Sequence, residues 1–254
     1  MQKSADPRHV LVTGASRGIG RAIAAAFVAS GDAVTVLGRT RASAEAARNE
    51  IGARHAVWAD VTDEQALLAA IEAASSASGP VQVLVNNAGG ADTAPLSRTD
   101  AALLRKMMAV NVEPVLTAMR AVFPAMREAG WGRVINIAST AGLKGYPYVS
   151  AYCAAKHAVV GLTRALALEL AQTGVTVNAI CPGYTDTDLV TGAIDRLIAR
   201  TGRDRASLMQ EFTRHNPQGR LVTPEEVAAT ALWMASAGAA AVTGQAISVS
   251  GGEI

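Results

Sequence analysis

His9-Val10-Leu11-Val12-Thr13 runs without interruption into Gly14-Ala15-Ser16-Arg17-Gly18-Ile19-Gly20 and then into the alanine-rich Arg21-Ala22-Ile23-Ala24-Ala25-Ala26-Phe27. A short β-branched run, a glycine-rich turn and a helix-forming segment in that order read as strand, tight turn, helix. The strand is apolar along its whole length rather than at alternate positions, so both of its faces are buried, as in a parallel sheet covered by helices on each side. The same alternation continues outward. Candidate strands lie at His9–Thr13, Ala33–Leu37, Arg54–Ala59, Val81–Asn86, Arg133–Ala138, Val175–Ile180 and Ala246–Val249. Helix-period segments fit 18–30, 41–51, 63–77, 100–128, 150–172 and 224–235, with Thr62-Asp63 and Thr223-Pro224 as starts. The fold class is therefore α/β: a doubly wound, seven-stranded parallel sheet with helices on both faces.

Composition agrees with one domain spanning 1–254. Half of the residues are apolar and 17% are charged, which suits a chain that buries a substantial core. A formal net charge of +2 and the lack of a Lys/Arg run argue against a nucleic-acid surface. Cys153 and Cys181 stand apart without C-x-x-C spacing, so neither a disulfide framework nor a metal site is expected. Met1–His9 is short and polar with no signal-peptide core, which points to a cytoplasmic protein with a mobile tail of about eight residues. The uncharged stretch 227–252 is long enough for a membrane span, but it is rich in Ala, Gly, Ser and Thr, so a buried helix, a turn and a strand are expected there. Regular alternation stops only at 184–219, a polar, partly helical insertion after the sixth strand, where a substrate lid would sit.

Small residues at Gly14, Ser16, Gly18 and Gly20 let a backbone approach a pyrophosphate closely, and the helix N-terminus beyond them supplies free N–H groups. The spacing is not G-x-G-x-x-G. It also satisfies G-x-S-x-G, the hydrolase nucleophile elbow with Ser16 as nucleophile, although an elbow normally follows several strands and this is the first. After the second strand the chain reads Leu37-Gly38-Arg39-Thr40. An acid there would hold a ribose 2′-hydroxyl; Arg39, with Arg17 nearby, instead favours a 2′-phosphate, hence NADP(H) over NAD(H).

Tyr152 and Lys156 are four residues apart on one predicted helix face, where an ammonium is expected to lower the tyrosine's pKa and make it a working proton donor to a carbonyl. Ser139 ends the fifth strand on the same sheet edge.

The turn T-G-x-x-x-G-x-G at Thr13–Gly20, Asn86-Asn87-Ala88-Gly89, the Ser139/Tyr152/Lys156 spacing, Val110-Asn111-Val112 and the P-G-x-x-x-T run from Pro182 and Gly183 to Thr187 together resemble the short-chain dehydrogenase/reductase family across nearly the whole chain. The resemblance implies a hydride transfer between a nicotinamide cofactor and a ketone or secondary alcohol, without a metal. It implies Tyr152 as acid/base, Ser139 orienting the carbonyl, Lys156 holding the nicotinamide ribose and tuning Tyr152, and Asn111 anchoring a water relay, unless Asn111 only caps the core. On the cofactor it implies roles for the turn residues Gly14, Ser16, Arg17, Gly18, Ile19 and Gly20. Asp60 and Val61 would lie at adenine and Asn87 at the adenosine ribose. Pro182, Gly183, Thr185 and Thr187 would border the nicotinamide. A homotetramer is implied as well, pairing through 100–128 and 150–172 and through the apolar C-terminal segment.

Segments 136–183 and Gly219–Val227 look like bacterial 3-oxoacyl-thioester reductases and aromatic-polyketide ketoreductases. The expected substrate is a 3-oxoacyl thioester on CoA or a carrier protein. The lid supplies Arg196, Arg200, Arg203, Arg205 and Arg214 against Asp195, Asp204 and Glu211, either as a phosphate dock or as solvated charge pairs. Leu197, Leu208, Met209 and Phe212 would line an acyl pocket or fasten the lid. An aryl ketone, a sugar or a steroid-like alcohol is the alternative substrate, and a non-catalytic nucleotide sensor the alternative role.

Overall fold

The apolar runs form strands β1 (His9–Thr13), β2 (Ala33–Gly38), β3 (His55–Trp58), β4 (Val83–Asn86), β5 (Gly132–Ile137), β6 (Val175–Pro182) and β7 (Ala246–Val249) in a computed structural model that describes residues 7–254. All pairings are parallel, in the order β3-β2-β1-β4-β5-β6-β7. The chain winds outward from β1 to β3 and then returns to place β4 on the other side of β1. That reversal opens a crevice at the carboxyl ends of β1 and β4.

Period-two burial explains why no polar face is needed. On β1, Val10 and Val12 enter one core cluster while Leu11 enters the other; on β4, Val83 and Val85 oppose Leu84 in the same way. One cluster takes Ile23 and Phe27 of α1 (Gly18–Ala29) and Val227, Ala231 and Met234 of α9 (Pro224–Met234). The other takes α3 (Glu64–Ser78), α4 (Ala101–Asn111), α5 (Glu113–Glu128) and α6 (Ser150–Glu169). Helix α2 (Arg41–Ile51) starts at a Thr40–Ser43 capping box, α3 at the Asp63 cap and α9 at a Thr223–Glu226 box with Pro224 in its first turn.

The expected helix over 100–128 is two helices. Pro114 has no N–H to give the carbonyl of Val110, Val112 leaves helical geometry with φ −117°, and α5 begins anew at Glu113. The break leaves Asn111 at the end of α4, beside the crevice. The insertion at 184–219 forms α7 (Asp188–Thr201) and α8 (Arg205–Thr213), with a small core of its own built on Val190, Ile194 and Leu208. Stretch 227–252 resolves into α9, a short 3-10 turn and β7, and among the described residues no helix is long and apolar enough to cross a membrane. Of the tail expected to be mobile, residues 1–6 lie outside the described part. Arg8 is tied down, forking onto Asp32 at 2.8 and 2.7 Å and reaching the Ala235 carbonyl at 2.7 Å.

Candidate active site

A cleft of about 1460 Å³ runs along the carboxyl ends of β1, β4, β5 and β6 and under α7 and α8. Every candidate catalytic and cofactor-binding residue named from the sequence borders it. One end is made largely of backbone. Gly14 and Gly18 take φ +63° and +53°, values that suit glycine. A Cβ on Gly20 would lie 2.4 Å from the Gly14 carbonyl oxygen and 2.3 Å from Asn87 Nδ2, so the turn and the end of β4 touch there. The Asn87 amide donates to the Thr13 and Gly14 carbonyls at 3.0 Å each. Thr13 Oγ1 in turn accepts from the backbone of Asn87 and Ala88 at 3.0 Å. These bonds fix the turn without using the first N–H groups of α1, which has neither a side-chain cap nor an acid in its first turn. Free donors, a positive helix end and a surface stripped of side chains fit a pyrophosphate.

Arg17 and Arg39 border this end, both exposed and neither within ion-pair distance of a carboxylate among the described residues. Asp60 is held below its usual carboxylate range by bonds from Thr62 N (3.0 Å) and Thr62 Oγ1 (2.7 Å), with Arg39 adding to the effect. Thr187 packs against the glycine turn: a Cβ on Gly18 would be 3.3 Å from its methyl group. Thr185 is buried, donating its hydroxyl to the Gly183 carbonyl at 3.0 Å.

The candidate catalytic groups sit at mid-cleft. Buried Asn86 bonds Asn136 at 2.9 Å and Asn136 bonds Thr163 at 2.9 Å, a polar chain that fastens α6 to the sheet. Gly142 allows the turn after Ser139 to lie against α6, since a Cβ there would meet the Lys156 carbonyl oxygen at 2.7 Å. Together these contacts bring Ser139, Tyr152 and Lys156 to one place. Lys156 Nζ donates to the Ile137 carbonyl at 2.9 Å and lies 5.7 Å from the Tyr152 ring centre. Burial depresses Lys156 from 10.5 to about 8.

Tyr152 departs from expectation. Its pKa is raised, to about 12, because loss of hydration outweighs the opposing pull of the Ser139 hydroxyl. The ammonium expected to lower it is itself desolvated and bonded to Ile137. Asn111 holds the loop after β4: its amide donates to the carbonyls of Gly90 (2.9 Å) and Met107 (3.0 Å) and its Oδ1 accepts from Gly90 N at 3.2 Å. Gly89 needs its missing side chain here, as a Cβ would sit 2.7 Å from Asn111 Oδ1.

The far end of the cleft is walled by side chains. Tyr184 packs edge-on to Phe212 with ring centres 4.9 Å apart, and its ring lies 6.2 Å from Tyr146 and 5.6 Å from His215. With Tyr148 and Tyr152, all four tyrosines of the chain border this one cleft. Of the insertion's apolar residues, Leu197 and Phe212 face the cleft, whereas Leu208 is buried in the insertion's own core with Met209 packed on it. The insertion's charges divide similarly. Arg203 pairs with Glu211 and Arg205 with Asp195, while Arg196, Arg200 and Arg214 border the cleft without a carboxylate partner among the described residues. Sequence reasoning missed Tyr146, Tyr148, Tyr184 and His215. The one available signal was that a chain with only 4% aromatic residues places every tyrosine between 146 and 184.

Residues 8–214 match the family model described as short chain dehydrogenase. The chain is 41% identical over 245 residues to galactitol 2-dehydrogenase (L-tagatose-forming) of Cereibacter sphaeroides, covering 95% of this chain and 92% of that one. It is 37% identical over 250 residues to D-beta-hydroxybutyrate dehydrogenase of Cupriavidus necator, covering 96% and 97%. A crystal structure of an actinorhodin polyketide ketoreductase variant with NADPH superposes with TM-score 0.93 at 36% identity, covering 99% of each chain. On this agreement of fold, crevice and sequence, the chain belongs to the short-chain dehydrogenase family and is an NAD(P)-dependent oxidoreductase of ketones and secondary alcohols.

Proposed function

We propose that the protein is an NADP(H)-dependent ketoreductase acting on a 3-oxoacyl thioester, with Tyr152 as proton donor. The observation that carries the reading is the meeting of Ser139, Tyr152 and Lys156 beside a glycine cradle suited to a dinucleotide. A bound nicotinamide cofactor supplies the hydride; the chain supplies position and a proton. Ser139 and Tyr152 bond the carbonyl oxygen and polarise it. Tyr152, with a pKa of about 12, stays protonated at neutral pH and so is in the state needed to donate. Lys156 keeps the ribose and Tyr152 in register, and Asn111 holds the 89–90 loop against them. The reverse reaction needs the phenolate, so alcohol oxidation rises toward alkaline pH.

Arg17 and Arg39 favour a 2′-phosphate. The thioester reading rests on Arg196, Arg200 and Arg214, left without carboxylate partners at the lid face of the cleft, together with the aromatic wall that would take the acyl chain. Likeness to a hydroxybutyrate dehydrogenase and a polyketide ketoreductase points the same way; likeness to a galactitol dehydrogenase makes polyol oxidation the second reading. Assembly as a homotetramer belongs to the same proposal.

The test follows reduced-nicotinamide absorbance with NADPH and NADH against 3-oxoacyl-CoA esters, aryl ketones and keto sugars, with Tyr152→Phe alongside. Turnover of the esters with NADPH, reduced about 100-fold or more in the variant, is expected. Turnover of sugars alone would replace the substrate, and full activity in the variant would remove Tyr152 from the chemistry.

A further inference from the structure

Glu253 is a carboxylate with only 2% of its side chain exposed, and it faces three segments that border the substrate end of the cleft. Lys144 Nζ lies 2.9 Å from its Oε1 and the Tyr146 hydroxyl 2.6 Å, both from the loop that leads into α6. His215, at the exit of α8, has Nδ1 at 3.8 Å from the same oxygen. On the fourth side, a Cβ on Gly183 would be 3.2 Å from Oε2. Tyr146 also lies 2.7 Å from Thr140 Oγ1; with a single proton it gives that proton to the carboxylate and accepts from the threonine.

The approach of Glu253 is itself constrained. Gly251 and Gly252 take φ +64° and +96° to turn the chain back, and Gly251 is pressed so closely on Asn216 that a Cβ would overlap its amide. The loop that Glu253 reaches is strained, because Tyr148 is a tyrosine at φ +65° and stands 68% exposed at the cleft mouth. Such a conformation persists only where surrounding contacts over-determine it. Here the contacts are the Ala94 N to Tyr148 carbonyl bond of 2.8 Å and the bonds of Lys144 and Tyr146 to Glu253.

We propose that Glu253 is a positioning residue for the substrate pocket: its carboxylate clasps the 143–149 loop to the exit of the lid and fixes the wall formed by Tyr146, Tyr184 and His215. Substrate then meets a wall already in place. Without the clasp the loop spends part of its time elsewhere, and apparent affinity for the ketone falls in proportion to the lost competent fraction. The cofactor cradle, built on other contacts, is untouched. The effect on KM rests on the ketoreductase reading; the clasp itself does not.

The experiment therefore has one readout that needs no turnover. Amide hydrogen exchange is compared in wild type, Glu253→Ala and Glu253→Gln, with NADPH affinity measured by fluorescence on the same samples. The alanine variant is expected to exchange faster by about tenfold at 143–149 and 213–216, with β1 and β4 amides and NADPH affinity unchanged. KM for the ketone rises about tenfold while kcat stays within about threefold. Glutamine keeps the Tyr146 bond but not the Lys144 ion pair and falls between the two. Unchanged exchange at 143–149, or acceleration spread through the sheet, would overturn the clasp. Faster loop exchange in a protein that reduces no ketone would retain the clasp and retire the ketoreductase reading, whereas normal turnover with unmoved exchange would do the reverse.

Discussion

The two ends of the cleft are built by different means. At the cofactor end the surface is backbone: Gly14, Gly18 and Gly20 clear the space, and the Thr13 and Asn87 bonds lock one turn to one strand end. At the substrate end the surface is side chain, contributed by the 143–149 loop and the start and end of the insertion, with Glu253 buried behind it. A backbone cradle tolerates no added atom, and it depends on few side chains, here Thr13 and Asn87. A side-chain wall can be rebuilt residue by residue over an unchanged sheet. This is a physical reason for one fold to accompany polyol, hydroxy-acid and polyketide names among proteins similar to this chain.

The largest effect should come from adding one carbon to the rigid end. In Gly20→Ala the new Cβ falls 2.4 Å from the Gly14 oxygen and 2.3 Å from Asn87 Nδ2, and the first of these is backbone that cannot swing aside. Turn and helix must separate, which costs a few kcal/mol by analogy with overpacked cores. NADPH affinity should fall by about 100-fold or more, read by fluorescence titration. Affinity within about threefold of wild type would mean that the cradle is softer than its contacts imply, and the contrast between the two ends would fail.

What could be read from the sequence follows the same division. Strand, turn and helix at 9–27 were legible because local spacing alone encodes them, and the same holds for the Tyr152–Lys156 pair on one helix face and Ser139 at a strand end. The break at Val112 was missed although Pro114 was visible, because proline is tolerated in a first helical turn and the apolar period continues across it. The direction of the Tyr152 shift was misjudged because a neighbouring ammonium can be counted in a sequence and lost hydration cannot. Glu253 was invisible for a related reason: Lys144, Tyr146 and His215 meet it only after the sheet has brought the chain end back beside β6.

Lys156 stands between the two ends and tests how dry the middle of the cleft is. Its depression from 10.5 to about 8 corresponds to a burial cost of at most about 3 kcal/mol. Below pH 8 the ammonium is charged in folded and unfolded chains alike, so the cost is complete. Above 10.5 it is neutral in both and the cost is gone. The cost of Lys156 therefore fades as pH rises from 8 to 10.5. Lys156→Met should be more stable than wild type at pH 7, by about 1–3 kcal/mol in urea unfolding, with the gap closing across that window. Taking the difference between the two proteins cancels the opposing titration of Tyr152, whose pKa is raised to about 12; Cys181, raised to about 11 and electrostatically coupled to Lys156, is replaced by alanine in both. A gap independent of pH would show that Lys156 is well hydrated.

The smallest effect concerns the charged side chains of the cofactor end. Three arginines gather near the carboxyl end of β2, and they are not equivalent. Arg41 bonds Glu45 at 2.7 Å and stacks over Trp58 at 5.3 Å, so its charge is already engaged. Arg17 and Arg39 border the cleft with no carboxylate in ion-pair range among the described residues. Thr40 is committed to capping α2, so the hydroxyl beside Arg39 is less available for a ribose. A 2′-phosphate placed here would meet one or two guanidinium groups and the positive end of α2, all in water and hence screened. Arg39→Gln should lower kcat/KM with NADPH by about tenfold and leave NADH within about twofold, narrowing the preference without abolishing activity. Because the guanidinium can distinguish the cofactors only through the phosphate, an equal loss with both would assign Arg39 to the turn's structure instead. No loss with either would leave Arg17 as the residue that reads the phosphate.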